Sequence, residues 1–156
     1  MPRTSPCLWF DNQAEEAANF YCSIFPNSKI KTITHFGANM PGPEGGVLTV
    51  SFELDGQDYL ALNGGPLFKF SEAISLCVYC KSQDEIDAYW EKLTAGGGEP
   101  GVCGWLKDKY GLSWQVIHEG WDQLLKDKTR GDRVMAAVMK MKRIDLAAIQ
   151  RAYEGL

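Results

Sequence analysis

The chain has 156 residues, 23% of them charged and 45% hydrophobic, and a formal net charge of −4. That length holds one domain with a full core or two small repeated modules, in the ordinary balance of a globular protein. The acidic excess argues against nucleic acid as a partner, because a phosphate backbone wants a basic face.

The basic residues do cluster late, at Lys126, Lys128, Arg130, Arg133, Lys140, Lys142 and Arg143, but Asp127, Asp132 and Asp145 interleave with them. This reads as a solvated helical face. No apolar run approaches the ~20 residues of a membrane span. The opening Met-Pro-Arg-Thr-Ser-Pro has no apolar h-region, so the expected location is the cytoplasm, with no membrane partner.

Taken in order, Pro6–Phe10 is a short apolar run of strand type. Asn12 followed by Glu15 reads as a helix N-cap and its partner. Ala17, Phe20, Tyr21 and Ile24 then fall at i, i+3, i+4, i+7, one face of a helix. Pro26-Asn27-Ser28 ends it. Lys29–Phe36 is a strand, Gly37 to Gly46 a loop rich in Gly and Pro, and Val47–Leu54 a second strand. Asp55-Gly56 is a hairpin turn, and Gln57–Asn63 returns.

The pattern then repeats. Ser75–Tyr79 is a strand-type run. Ser82 and Glu85 form a capping box ahead of Ile86, Tyr89, Trp90 and Leu93, the same helical face again. The offset between the two faces is 69 residues, too long for a solenoid repeat and suited to a duplicated module. Gly96-Gly97-Gly98 ends the second helix. A short segment near Glu99–Val102, then Gly104–Asp108, a turn at Lys109-Tyr110-Gly111 and Ser113–His118 complete the half. Each half reads β-α-β-β-β, an α+β organisation with modules at 5–66 and 72–118. Residues 119–156 form a helical extension: Trp121–Lys126, an amphipathic face of Val134, Ala137, Val138 and Met141, and Leu146–Tyr153 capped by Asp145. Those apolar faces must be buried against the module or a second subunit. Open sheet edges also need cover, so a homodimer is expected.

The five cysteines stand at 7, 22, 77, 80 and 103. Cys77 and Cys80 are formally CxxC, but the pair lies in a strand-type run rather than at a helix N-terminus. Residues three apart on a strand face opposite ways, so the two thiols should stay reduced and apart.

Several segments resemble the PhnB-like branch of the vicinal oxygen chelate superfamily, which includes glyoxalase I and the bleomycin- and fosfomycin-resistance proteins. They are Pro6-Cys7-Leu8-Trp9-Phe10-Asp11, Ala14-Glu15-Glu16-Ala17, Phe20-Tyr21, Leu62-Asn63-Gly64-Gly65-Pro66, Tyr89-Trp90-Glu91-Lys92-Leu93, Gly104-Trp105-Leu106-Lys107-Asp108 and Tyr110-Gly111-Leu112-Ser113-Trp114-Gln115. The similarity runs over about residues 5–153 and implies two βαβββ modules whose strands form a cup-shaped mixed sheet. Proteins of this branch often carry the label 3-demethylubiquinone 3-methyltransferase. No strand here is followed by the glycine-rich turn of a Rossmann-like cofactor site.

The resemblance also implies metal ligands on the first and last strand of each module, typically His, Glu or Gln. Carried over, those positions fall at Ser5 (Thr4 with a one-residue slip), Asn63, Ala73 (Glu72 with a slip) and Gln115. A divalent ion wants three or more strong donors, so no metal or other cofactor is expected. His35 and His118 read as rim residues rather than general bases.

Period-2 alternation sketches the lining of the cup. Cys7 and Trp9 share one face of their strand, as do Ser75, Cys77 and Tyr79. Gln115 faces the cup, and Tyr59 and Asn63 share a face. Such a lining suits an apolar or aromatic small molecule held by a few hydrogen bonds; the alternative is that Trp9 and Tyr79 simply fill the cup. The leading expectation is a small-molecule binding protein that works without a metal. The alternatives are a superfamily lyase, isomerase or dioxygenase with a divergent site, and a structural dimer with a filled cup.

Overall fold

The computed structural model describes residues 2–156, and these divide into two compact units, one running to Phe70 and the other Ser71–Leu156. In the first, β1 (Cys7–Phe10) leads into α1 (Ala14–Ile24), followed by β2 (Lys29–His35), β3 (Val47–Leu54) and β4 (Gln57–Asn63). The sheet order is β1-β4-β3-β2. β1 runs parallel to β4, and the other neighbours are antiparallel.

The second unit repeats this with β5 (Leu76–Cys80), α2 (Gln83–Thr94), β6 (Glu99–Pro100), β7 (Trp105–Lys107) and β8 (Ser113–His118), in the order β5-β8-β7-β6. The parallel pair is again first strand to last. The expected pair of βαβββ modules is therefore observed, each with a four-stranded mixed sheet.

Alternation sets the faces. In β1, Leu8 and Phe10 are buried while Cys7 is exposed and Trp9 half-buried. In β3 and β4, Val50, Phe52, Leu54, Tyr59 and Ala61 turn inward and pack with Ala14, Ala17, Ala18, Tyr21 and Ile24 of α1 into the first core. The rings of Tyr21, Phe52 and Tyr59 stack in sequence, with centroids 6.4 and 5.5 Å apart. The second core repeats the plan with Val78, Cys80, Ile86, Trp90, Leu93, Leu106, Trp114 and Val116.

The hairpin turn forms as Asp55-Gly56 demands. Both residues have positive φ, 47° and 85°, which is the requirement of a two-residue type I′ turn.

The starts of the two helices differ. α2 is capped locally: Ser82 Oγ accepts the Glu85 amide at 3.2 Å, and Glu85 Oε2 accepts from Lys81 N–H at 2.8 Å. α1 has no such cap. Its N-cap is Gln13, not Asn12, and the Gln13 side chain makes no capping hydrogen bond to the helix. Asn63 Oδ1, reaching from the end of β4, accepts the Ala14 amide at 2.8 Å instead.

The link from strand to helix also differs by one residue. Residues 11–13 join β1 to α1, and residues 81–82 join β5 to α2. The helices therefore correspond at an offset of 69, whereas pairing of first with last strand aligns Cys7 with Cys77 and Phe10 with Cys80, an offset of 70. The strand expected at Ser75–Tyr79 accordingly lies one residue later.

The extension belongs to the second unit. It comprises α3 (Trp121–Lys126), α4 (Lys128–Val138) and α5 (Leu146–Glu154), the last capped by Asp145 Oδ1 on the Ala148 amide. Gln83 ties it to α2, donating to Ile144 O at 2.9 Å and accepting the Leu146 amide at 2.9 Å. Cys103 and Gly104 donate their amides to Met141 O and Lys142 O, both at 2.8 Å. Gly104 is left-handed (φ 81°), and a Cβ there would press on Ile144 and Val116. Val134, Val138, Ile144 and Ile149 are buried within the single chain. Ala137 and Met141 are half-buried, so the second module covers the centre of the extension's apolar face and that burial does not by itself call for a second subunit.

Candidate functional site

At the end of the first sheet where β1 and β4 finish and α1 begins, a cleft of about 900 Å³ opens. One side is the 37–46 loop. Its base is zipped by Phe36 N–H to Gly46 O at 2.8 Å and Gly45 N–H to Phe36 O at 2.9 Å. The loop then folds back over the Phe36 ring, and Gly42 lies so close that a Cβ there would enter the ring. Phe36 is buried by its own loop, while Met40 is 48% exposed and also lines the cleft.

The opposite side is Trp9 with Gly64 and Gly65. Trp9 Nε1 donates to Gly65 O at 2.9 Å. Phe68 meets the indole edge-on, centroids 4.9 Å apart. Gly64 lies against the ring with no room for a Cβ. The indole is therefore fixed on several sides before any ligand arrives.

Asn63 also borders the cleft, but its amide is engaged at both ends, accepting from Ala14 N–H and donating to Val47 O at 3.0 Å. Asp11 and Glu15 are the charged residues of the lining. Both are acidic, so the cleft repels anions.

The residues expected to line one surface separate as follows. In the first module Cys7 and Trp9 lie on the sheet face away from α1, with their register partners Leu60 and Leu62. Tyr59 and Asn63 do share a face with each other, but it is the face covered by α1. Tyr59 is 9% exposed and stacked on Phe52, and burial raises its phenol pKa. Period 2 gave the alternation of β4 correctly; without the pairing register it could not say which set faced which way. In the second module Ser75, Cys77, Tyr79 and Gln115 do come together. Gln115 Nε2 donates to Ser75 Oγ at 2.9 Å, Cys77 is opposite Gln115 in register, and Tyr79 is 63% exposed.

The register further corrects the equivalence of Asn63 and Gln115. Asn63 pairs with Phe10, as His118 pairs with Cys80, whereas Gln115 corresponds to Leu60. His118 Nδ1 accepts the Gly120 amide at 3.0 Å, a local turn contact.

A divalent ion fits these positions poorly. Ser5 is exposed ahead of β1. Asn63 is engaged with backbone, Gln115 donates to Ser75, and Glu72 forms an ion pair with Lys107 that holds its pKa down. Among the described residues no three His, Cys, Asp or Glu side chains gather. Three or more such donors are what a tight site needs. Nor do the strand-to-helix turns at 11–13 and 81–82 contain the glycines with which a Rossmann-like site cradles a nucleotide-type cofactor. Among the described residues no helix is long and apolar enough to cross a membrane.

Sequence reasoning missed the cleft wall formed by residues 36–46. The signal was present in the density of Gly and Pro between two strands, but it marks a loop without saying where the loop folds.

Comparison with known proteins agrees with this architecture. The family model described as 3-demethylubiquinone-9 3-methyltransferase matches residues 2–117. The PhnB protein of Bacillus cereus is 35% identical, with a TM-score of 0.63 over 74% of this chain and 99% of its own. Protein PA1353 of Pseudomonas aeruginosa, 17% identical, superposes with a TM-score of 0.61 over 76% of this chain and 98% of its own. A mutant of the fosfomycin resistance protein FosX from Listeria monocytogenes, complexed with Mn(II) and a dihydroxypropylphosphonic acid, is 16% identical. Its TM-score is 0.57 over 80% of this chain and 98% of its own. The last two show shared fold alone. No curated protein matches the chain. With the family model spanning both modules and a PhnB protein so similar over its whole length, the chain belongs to the PhnB-like 3-demethylubiquinone-9 3-methyltransferase family, in the glyoxalase/bleomycin-resistance fold.

Proposed function

We propose that this protein binds a small apolar or aromatic molecule in the cleft of its first module, and does so without a metal ion. The observation that carries this reading is the preformed cleft of about 900 Å³ with the immobilised Trp9 indole on one side. Concave, mostly apolar surfaces with a few placed polar groups are what small-molecule sites look like. An aromatic wall fixed in advance avoids the entropy cost of ordering it on binding. Asp11 and Glu15 favour a neutral or cationic ligand over an anion. Methyl transfer, the activity in the family's description, finds no support in these residues, since neither strand-to-helix turn is built to hold a methyl-donor nucleotide.

The experiment is a screen of neutral, cationic and anionic aromatic compounds by titration calorimetry against the wild type and Met40→Ala. Met40 is exposed and its loss spares the core. Expected are binding of neutral or cationic members, affinity unchanged by EDTA, and a loss of about threefold to tenfold in Met40→Ala, the order of one apolar contact group. Binding only of anions, or binding abolished by EDTA, overturns the reading.

A further inference from the structure

The second module contains a cavity that shares no residue with the first-module cleft. It measures about 460 Å³ and is walled by Pro100, Val102 and Trp105, with Ser113 among its lining residues. Ser113 is 1% exposed, and its hydroxyl is the buried side-chain polar group among the described residues that has no hydrogen-bond partner. An unpaired buried hydroxyl costs stability unless something supplies a partner.

The neighbouring charges do not supply it. Lys107 lies directly opposite Ser113 in register and opposite Glu99 on its other side. Its ammonium is engaged in an ion pair with Glu72, and these carboxylates raise its pKa. With two carboxylates against one ammonium lining the cavity, an anion is disfavoured there.

The wall is built in advance. Gly101 N–H donates to Trp105 O at 2.9 Å and Trp105 N–H to Val102 O at 3.0 Å. Cys103 and Gly104 are held from behind by Met141 and Lys142. Val102, which also lines the cavity, is nevertheless 58% exposed, so the cavity offers apolar surface as well as a hydroxyl in want of a partner.

From this we infer that the second module carries its own small-molecule site, which takes a neutral aromatic compound bearing one hydroxyl or carbonyl, the oxygen meeting Ser113 Oγ. The apolar walls hold the ring system, and the single hydrogen bond orients it.

Naphthol tests this, with naphthalene as the counterpart lacking the hydroxyl. Titrations followed by amide chemical shifts are run on the full chain, wild type and Ser113→Ala, with thermal melting of both ligand-free proteins. The expected result is saturable naphthol binding with shifts at residues 101–105 and 113. In Ser113→Ala naphthol binding weakens about fivefold, the size of one neutral hydrogen bond, while naphthalene binding is unchanged and the melting temperature does not fall. No naphthol binding, shifts confined to Trp9, Gly64 and Gly65, or equal affinity in Ser113→Ala would overturn the inference. So would a fall in melting temperature in Ser113→Ala, since the hydroxyl would then already have a partner. Because the shifts report each module separately, failure here is distinct from failure of the first-module cleft.

Discussion

In the first module the outer hairpin is built from strands of seven and eight residues, β2 and β3. In the second the corresponding strands, β6 and β7, have two and three. The long hairpin pairs from Lys29–Glu53 to His35–Val47, with two register shifts on the way, and then projects the 37–46 loop that walls the cleft. The short one leaves the Cys103 and Gly104 amides outside the strand ladder, although Gly104 O still accepts from Val116 N–H of β8, and the extension accepts those two amides at Met141 O and Lys142 O. One βαβββ plan is thus completed from inside in the first case and from outside in the second. Backbone amides left unpaired in a packed setting are costly, so a module that shortens a strand must find donors and acceptors elsewhere.

The comparison breaks most visibly if the outside support is removed. A chain ending at Glu119 loses the bonds to Cys103, Gly104 and Gln83 and the buried Val134, Val138, Ile144 and Ile149. Native-state hydrogen exchange should show β7 and β8 losing protection while β3 and β4 keep theirs. Equal loss in both modules would mean that the extension is not specific support for the second.

A smaller effect is expected at the helix starts. Asn63→Ala removes both the acceptor for Ala14 and the donor to Val47, so it should cost about 2–3 kcal/mol in denaturant unfolding. Ser82→Ala removes a local cap and should cost about 1 kcal/mol. If the two costs are equal, the remote cap is no more than a surface contact.

The smallest expected change concerns the thiols of the two first strands, β1 and β5. Cys77 is exposed, whereas Cys80 is buried with its pKa pushed up to about 12, by burial first and the nearby Glu85 second. Brief alkylation of the native protein should label Cys77 and Cys7 and spare Cys80, and all five thiols should react once it is denatured, since every cysteine is free. Labelling of Cys80 at the rate of Cys77 would show that β5 does not hold its register.

The elements themselves were legible because their signals are local. Alternation over Val47–Leu54 and Gln57–Asn63, the positive-φ pair Asp55-Gly56 and the Ser82 cap are each read from a few neighbours. What escaped depends on residues distant in sequence. Asn12 has the right chemistry for an N-cap, yet the acceptor for α1 comes from Asn63, forty-nine residues from Ala14. Tyr59 and Trp9 each alternate correctly, but only the pairing of Cys7 with Leu60 tells which faces agree. The single repeat offset concealed a residue lost from the second strand-to-helix turn, because a turn absorbs that change without disturbing either element. The extension's amphipathic faces announced burial without naming a partner, and within the chain the second module is that partner.

The borrowed backbone pairing at Cys103 and Gly104 has a consequence for synthesis. A ribosome delivers the chain in order, at about 5–20 residues per second, and domains fold as they emerge. The first module has all its strands once Asn63 is out and can close its core early. The second has its last strand at His118 but waits for Met141, Lys142 and Ile149 before its sheet and core are complete. Over that interval a nascent chain shows one finished module and one sheet with open backbone, the stage at which a chaperone or a neighbouring nascent chain would find it.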